Sequence, residues 1–509
     1  MVNESGSQDS HSSLRLTRLG IDTYREFVIY MNRNCHVCRA EGFGVRSRIA
    51  VRLGGKTINA TLNVVQSDLL TTGEASLSES AWRELGAETG LVIELSHPEP
   101  LASESYLRKK VYGARLSRDE IFTIIRDVSN GAYDDIQLAA FVTACAGDRL
   151  DLRETIDLTA AMVAVGERLT WGPDRVADKH CVGGLPGNRT SMIVVPIIAA
   201  AGLLIPKTSS RAITSPAGTA DVMEALTRVD LDLVEIRKVV EREGGCIAWG
   251  GTVRLSPADD ILIGVERPLD FDSEGQLVAS VLSKKIAAGS THVVLDLPVG
   301  PTAKLRNTEA AARLAGRLKE VAANFDLTVE IVLTDGTQPV GRGIGPALEA
   351  RDVLAVLQNE TSAPGDLRSR ALTLAAHLLE LAGAAPSGSG SRMAEDILAS
   401  GAASKKFQGI CEAQGGMRKL AQAPHRHDVV SSRDGWIKAI HNRKLAKVAK
   451  LAGAPRAALA GVDFHAPMGR HVLRGEPLFT IHAETQGELA YSLAYANAHG
   501  DIVQIGPEQ

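Results

Sequence analysis

Residues 178–189 read DKHCVGGLPGNR, and a long apolar run, residues 192–205, follows almost at once. Glycine lets the backbone turn tightly and lie close to a ligand. A helix that starts after such a loop presents free N–H groups and a positive dipole end to an anion. Lys179 adds a full positive charge beside the loop. The stretch therefore predicts a phosphate site between a strand and a buried helix, with a plain connecting turn as the alternative.

The pattern around this loop is that of an α/β domain. From about residue 174, short apolar strands alternate with glycine-rich loops and apolar helices, and residues 293–298 and 328–333 have the composition of buried strands. Such alternation favours a mostly parallel sheet. The loop is neither a P-loop nor a dinucleotide fingerprint, because it lacks the spacing of both. We assign residues 171–425 to this phosphate- and substrate-binding domain.

Three further domains are predicted on either side. Residues 1–100 form an N-terminal β domain with strands near 49–51 and 60–65, where β-branched residues flank a Gly-Gly turn. Residues 101–170 form a helical bundle domain, in which Ser117 and Glu120 make a capping box. Residues 426–509 form a C-terminal α+β domain with a strand near 478–481. The fold class is multidomain α/β and α+β.

Composition narrows the classes of function. The chain has 509 residues, 44% of them hydrophobic and 23% charged, so it is too long for one domain and typical of globular proteins. The net charge is −4 with no basic block, which disfavours a nucleic-acid partner. The run 192–205 is too short for a membrane span, and the first twelve residues are too polar for a secretory signal. We expect a cytoplasmic protein.

The six cysteines do not form a disulfide framework in a chain of this size, so reduced thiols are expected. Cys35-His-Val-Cys38 invites comparison with a zinc site, and His36 would add a third ligand. A structural zinc site needs four ligands, and the sequence has no second Cys-x-x-Cys. We expect no metal and no redox role.

A second stretch also suits anions. Residues 207–219 read KTSSRAITSPAGT, with six hydroxyl residues and two cations in thirteen positions. Hydroxyl and backbone N–H groups donate to phosphate oxygens, and Arg211 can engage two oxygens at once. An ordinary surface loop is the alternative. Further on, Asp272 stands where it would start a helix, and Lys284 with Lys285 would, taken alone, be a solvated pair.

These stretches together resemble the thymidine and pyrimidine nucleoside phosphorylases. The shared motifs are Asp178-Lys-His, Gly183-Gly184, Ser209-Ser-Arg211, Gly218-Thr219, ASVLSKK at 279–285, LTDGTQP at 333–339 and GPALEAR at 345–351. The Pro-Gly-Asn and Ser-Arg-Ala-Ile-Thr-Ser segments and the extra β domain resemble the longer branch, which includes AMP phosphorylase and the type 2 thymidine phosphorylases. The resemblance covers nearly the whole chain.

The resemblance implies roles for particular residues. Asp272 is the expected proton donor, and inorganic phosphate is a co-substrate, with no cofactor. The implied phosphate pocket consists of Lys179, Cys181, Ser191, Ser209 and Thr219. The implied substrate-binding set consists of Gly184, Ser210, Arg211, Ala212, Ile213, Thr214, Ser215, Thr219, Ser280, Lys284 and Lys304. A homodimer or larger homo-oligomer is also implied.

Two departures from the family pattern bear on the substrate. Cys181 replaces a phosphate-binding Ser, and a thiol is a weak donor. Val265 stands where the short thymidine phosphorylases have a base-binding Arg, and Arg267 is displaced from it. The second departure favours nucleotides over thymidine, and the segment Ser210 to Ser215 could grip a 5′-phosphate, so we predict cleavage of a nucleoside 5′-monophosphate by phosphate, giving free base and ribose 1,5-bisphosphate. The alternatives are thymidine phosphorylase, a phosphoribosyltransferase that needs magnesium and diphosphate, and a non-catalytic binding protein.

Overall fold

A computed structural model of the chain describes residues 12–24, 26–172, 175–212, 215–269 and 273–507, without the side chains of residues 267 and 268. The chain forms two compact units. The first comprises the described part of Met1–Ala114 together with Thr123–Phe141, and the second comprises Arg115–Phe122 together with the described part of Val142–Gln509. The boundaries of the four predicted domains stay a prediction.

The N-terminal β domain is a closed six-stranded barrel, with strand order β1-β5-β2-β4-β3-β6. Its interior is filled by alternate aliphatic side chains such as Ile29, Val51 and Leu62, all fully buried. The predicted strands near 49–51 and 60–65 are confirmed as β3 and β4. The elements are β1 Ser13–Leu16, β2 Val28–Asn32, α1 His36–Glu41, β3 Arg48–Leu53, β4 Lys56–Val65, β5 Glu74–Leu77, α2 Glu79–Leu85 and β6 Val92–Ser96.

Four helices follow the barrel: α3 Ser103–Val111, α4 Arg118–Ser129, α5 Asp135–Cys145 and α6 Leu152–Ala164. The predicted capping box opens α4, because Glu120 N–H donates to Ser117 Oγ and Ser117 N–H donates to Glu120 Oε2 at 2.7 Å. A second capping box, Asp151 with Glu154, opens α6.

The α/β region has a parallel three-stranded sheet, β11-β10-β7, beside a parallel pair, β8-β9. Both predicted buried strands are present, as β10 and β11. The strands and helices are β7 Ala177–Cys181, α7 Ser191–Ala200, β8 Ile205–Ser209, α8 Thr219–Glu224, α9 Leu233–Glu243, β9 Gly245–Trp249, α10 Pro257–Leu269, α11 Glu274–Ala287, β10 His292–Val299, α12 Thr308–Ala322, β11 Thr328–Asp335, β12 Gly343–Ile344, α13 Pro346–Leu357, α14 Gly365–Leu381, α15 Gly390–Ala399 and α16 Ala402–Ala413.

The composition of the apolar run 192–205 predicts one buried helix, but in the structure the run forms a helix followed by the start of a strand. Helix α7 ends at Ala200, Gly202 adopts a left-handed φ of +86°, and Ile205 begins strand β8. The reason is that a fully buried parallel strand and a fully buried helix are both continuously apolar, so hydropathy alone cannot separate them.

The C-terminal α+β domain has two antiparallel sheets, ordered β12-β15-β17-β13 and β16-β14-β18, and the first of them includes β12 from the α/β region. The predicted strand near 478–481 is the centre of β17. The elements after α16 are β13 His425–Val430, β14 Gly435–Ile440, α17 Asn442–Leu451, β15 Gly461–Phe464, β16 His471–Val472, β17 Pro477–Ala483, α18 Gln486–Ala498 and β18 Val503–Gly506. The fold class predicted from the sequence is confirmed.

Candidate active site

The loop after β7 carries the first group of predicted site residues. Lys179 is fully buried in the strand, and its Nζ donates to Thr190 Oγ1 at 2.7 Å and lies 3.6 Å from Asp296 Oδ2. The loop then reaches Ser191 at the start of α7, where the N–H groups of Met192 and Ile193 donate to the carbonyl oxygens of Arg189 and Thr190 and the positive end of the helix dipole faces the loop. The strand, loop and helix therefore direct a lysine and a helix N-terminus toward one place.

Two glycines allow this loop to lie close to neighbouring backbone. Gly187 has a φ of +74°, and a Cβ there would lie 2.2 Å from the carbonyl oxygen of Val340. Gly184 has a φ of +84°, and its Cβ would lie 3.0 Å from the backbone N of Lys304. Both positions need glycine for conformation and for space. The loop is thereby held against Lys304, one of the predicted substrate-binding residues.

The turn between β8 and α8 supplies the second group. The hydroxyl oxygen of Ser209 is buried and has no hydrogen-bond partner among the described residues. Thr219 Oγ1 accepts from Arg189 Nη1 at 2.9 Å, and Arg189 is held in turn by Glu349. A buried hydroxyl without a partner is costly, so Ser209 is a donor available to a ligand.

Arg211, whose binding of substrate stays a prediction, is engaged by carboxylates of the protein. Its guanidinium makes two bonds to Glu224, at 2.5 and 2.8 Å, and lies 3.3 Å from Asp221. It also stacks over the ring of Trp249, with 4.7 Å to the ring centroid. These contacts make Arg211 the residue that fixes the turn, with its charge already matched by acids.

Helix α11 brings further cations. Lys284 Nζ lies 2.5 Å from Asp259 Oδ2, and its pKa is raised, because Asp259 and Asp260 outweigh the opposing effect of burial. Lys285 is only 1% exposed and lies 2.7 Å from Asp178 Oδ2. The pair is therefore not solvated. Ser280 accepts from Lys284 at 3.5 Å, one helical turn away.

The two turns and α11 surround one cavity of about 620 Å³. The predicted residues that line it are Lys179, Cys181, Gly184, Ser191, Ser209, Ser210, Arg211, Ser215, Thr219, Ser280, Lys284 and Lys304. Ala212 does not line the cavity; its N–H donates to Asp221. Ile213, Thr214 and Asp272 lie outside the described residues. The cavity is of the size that small-molecule sites usually have.

Comparison with known proteins assigns the chain to a family. Residues 104–166 match the helical bundle domain of a glycosyl transferase family, residues 173–404 match its a/b domain, and residues 436–502 match the pyrimidine nucleoside phosphorylase C-terminal domain. A protein of Polaromonas sp. (strain JS666 / ATCC BAA-500) is 61% identical over 97% of this chain and 96% of its own length. The chain belongs to the thymidine and pyrimidine nucleoside phosphorylase family.

Other members of the family are nearly as similar. A protein of Acidovorax sp. (strain JS42) is 59% identical over 99% of this chain and 98% of its own. One of Legionella pneumophila (strain Corby) is 57% identical over 98% and 97%. All three relatives carry the name "putative thymidine phosphorylase", the Acidovorax protein with the number 2.

A solved structure shares the fold. Anthranilate phosphoribosyltransferase from Thermus thermophilus covers 60% of this chain and 98% of its own, with a TM-score of 0.51 and 20% identity. At that identity the likeness is one of architecture alone. It gives no support to phosphoribosyltransferase activity in this family member.

Among the cavity residues that were not predicted from the sequence are three titratable ones of the α/β region, His180, Lys207 and Lys285. His180 follows Lys179 in β7, and burial together with four neighbouring lysines lowers its pKa well below the usual value. The imidazole is therefore neutral and can donate one hydrogen bond. The sequence feature that could have identified His180 is its place in the Asp178-Lys-His motif.

The C-terminal domain also contributes to the cavity. Helix α17 directs Arg443, Lys447 and Lys450 to it, at the i, i+4 and i+7 spacing of one helix face. Lys444 lies on another face, where it pairs with Asp501. The cationic spacing was visible in the sequence, but only the tertiary structure shows which cavity it faces.

Cys181 lines the cavity as a neutral thiol. Burial raises its pKa to about 12, and the sulfur accepts from Asn188 Nδ2 at 3.3 Å and from Gly183 N–H at 3.5 Å. Both contacts use the sulfur as an acceptor, so the thiol contributes little to holding an anion.

Cys35 and Cys38 lie in the barrel core, 0% and 7% exposed. Within the described ranges, no three His, Cys, Asp or Glu side chains converge as the ligands of a metal ion would. The described helices also include none with the length and apolar character needed to cross a membrane.

Proposed function

We propose that the protein uses inorganic phosphate to cleave the N-glycosidic bond of a pyrimidine nucleoside, giving free base and a pentose 1-phosphate. Thymidine is the preferred candidate among these nucleosides. The observation that carries this proposal is the meeting of two anion-directed turns in one cavity, the second of which presents the Ser209 hydroxyl, buried and without a partner in the described part of the chain. The names of the relatives favour thymidine over the nucleotide substrate that we predicted from the sequence.

The cavity offers distinct surroundings for the two reactants. Lys179, Ser209 and Thr219, with the N-terminus of α7, would hold phosphate below the sugar. Ser280, Lys284 and neutral His180 would face the base. Bond cleavage leaves positive charge on the sugar and negative charge on the base, so phosphate would stabilise the first and cations the second.

Protonation of the leaving base needs a donor. Asp272 stays the predicted proton donor, provided that its surroundings keep it protonated. The neutral imidazole of His180 is a hydrogen-bond donor within the same cavity. Inorganic phosphate is the co-substrate, and lysine side chains and loop N–H groups would supply the electrostatic field without a cofactor.

A nucleoside 5′-monophosphate is the second candidate substrate. The specific observation in its favour is the added cationic wall of Lys304, Arg443, Lys447 and Lys450, which is more charge than one phosphate ion requires. A 5′-phosphate on the substrate would match this wall.

Release of free base by the purified protein tests the proposal. Thymidine, uridine, UMP, CMP and AMP would each be incubated with and without phosphate, and the base quantified by chromatography. We expect thymine release that depends on phosphate. Release from the monophosphates alone would replace thymidine by the second candidate, and no phosphate-dependent release from any substrate would contradict both.

A further inference from the structure

Three buried lysines lie beneath the cavity with two carboxylates between them. Lys179, Lys207 and Lys285 are each at most 3% exposed. Lys285 Nζ lies 2.7 Å from Asp178 Oδ2, and Lys179 Nζ lies 3.6 Å from Asp296 Oδ2. Lys207 Nζ reaches only the other oxygen of Asp178, at 3.7 Å. Among the described residues, this cluster therefore holds one amine more than it has carboxylates.

An unmatched buried ammonium group is costly. The protein can avoid the cost by releasing the proton from one amine, or by binding an anion. Lys284 does not alter the balance, because Asp259 matches it at 2.5 Å. The cluster is thus built for an anion that the protein itself does not supply.

Lys207 is the amine with the weaker hold on the carboxylate that it shares. Its Nζ lies 3.7 Å from Asp178 Oδ1, whereas Lys285 Nζ lies 2.7 Å from Asp178 Oδ2, and Lys207 also donates to the carbonyl oxygen of Thr208 at 2.6 Å. A neutral amine keeps the bond to the carbonyl, whereas two ammonium groups that share one carboxylate repel each other. Burial and the charge of Lys285 lower the pKa of Lys207 to about 7.

The other groups near Lys207 do not supply the missing negative charge. On β7, Asp178 is shared, Lys179 carries no negative charge in any form, and His180 is neutral. On β9, burial raises the pKa of Cys246 to about 12, so its thiol is uncharged at neutral pH. The described neighbours therefore leave phosphate, the proposed co-substrate, as the partner of the third cation.

We propose that Lys207 is neutral in the empty site and takes up one proton from solvent when phosphate binds. No other bond is made or broken in this step: the amine gains a proton, and the phosphate remains the dianion. The inference rests on the proposed function, because that function makes phosphate the ligand of this cavity. Lys207 would then supply to the phosphate the charge that the Cys181 thiol does not.

The sign of the pH dependence follows. Bound phosphate raises the pKa of Lys207, so affinity for the phosphate dianion is fully present below about pH 7 and falls as the pH rises above it, by up to about tenfold per pH unit. In the protein without phosphate, the depressed pKa of Lys207 lowers the stability of the fold below about pH 7. This cost in stability disappears as the pH rises toward 10.5, the pKa of the lysine in the unfolded chain.

Calorimetric titration with inorganic phosphate tests the proposal. At about pH 8, in buffers with different heats of ionisation, the observed heat gives the number of protons taken up. We expect close to one proton per site for the native protein and for the control Lys444→Met, and none for Lys207→Met. Equal uptake by Lys207→Met and the native protein, or no uptake by the native protein, would overturn the proposal.

A readout without phosphate covers the case in which Lys207→Met no longer binds it. Lys207→Met should unfold at a higher temperature than the native protein at pH 7 and below, and this difference should shrink toward pH 9. A difference that does not change with pH would contradict the proposal. Base release is followed in the same preparations, so phosphate-dependent cleavage without Lys207-dependent proton uptake would refute this inference and leave the proposed function standing.

Discussion

At the scale of single residues, a substitution at Ser209 separates the binding of phosphate from the stability of the fold. Its hydroxyl is buried and lacks a partner among the described residues, so Ser209→Ala should leave the unfolding temperature unchanged or slightly raised. The same change should raise the KM for phosphate roughly tenfold to a hundredfold, the worth of one hydrogen bond to a charged group. Steady-state kinetics and thermal unfolding of one preparation check both.

Ser283→Ala is the matched control for this prediction. Ser283 is fully buried on α11 and bonds to Ser256 at 3.2 Å, but it does not line the cavity. Its loss should lower stability and leave the KM for phosphate unchanged. If both variants changed the KM equally, the effect at Ser209 would be one of packing alone.

At the scale of elements, the glycine loop after β7 owes its position to close backbone contact. Gly183 and Gly187 both have positive φ, but a Cβ on Gly183 would meet nothing within 4 Å, whereas one on Gly187 would meet Val340 O at 2.2 Å. Gly183→Ala should cost about 1–2 kcal/mol from conformation. Gly187→Ala should cost roughly 1–3 kcal/mol more, from overlap. Equal losses in denaturant unfolding would show that the contact is unimportant.

Helix α17 gives an element-scale test of substrate choice. Arg443 and Lys447 are side chains that line the cavity. If the monophosphate is a substrate, replacing both by Ala should raise its KM roughly tenfold and leave the KM for thymidine unchanged, because only the former carries a 5′-phosphate. Lys444→Ala, on the face that pairs with Asp501, is the control. An equal change for both substrates would exclude a 5′-phosphate subsite on α17.

The elements also show what sequence could and could not provide. The two anion-directed turns were predictable, because the first gathers glycines and cations, and the second cations and hydroxyls, within about a dozen positions. Lys285 was not, since its partner Asp178 lies 107 positions away and nothing local distinguishes it from a solvated lysine. Arg211 has the right chemistry for phosphate, yet Glu224, thirteen positions on, holds it. Local pattern predicts chemistry, and tertiary contact decides which partner is met.

At the scale of the whole molecule, one cavity is lined both by the α/β region and by the cationic helix α17 of the C-terminal domain. The fold class was predictable because each region keeps its own periodicity, and it is confirmed. A homodimer or larger assembly, the domain boundaries and the role of Asp272 stay predictions.

The central claim is that phosphate, not water, attacks the sugar in this cavity. The most direct measurement is phosphorus NMR of a reaction containing thymidine and inorganic phosphate, with thymine quantified in parallel. We predict 2-deoxyribose 1-phosphate in equal amount to thymine. Thymine accompanied by free deoxyribose, with the phosphate signal unchanged, would contradict the account.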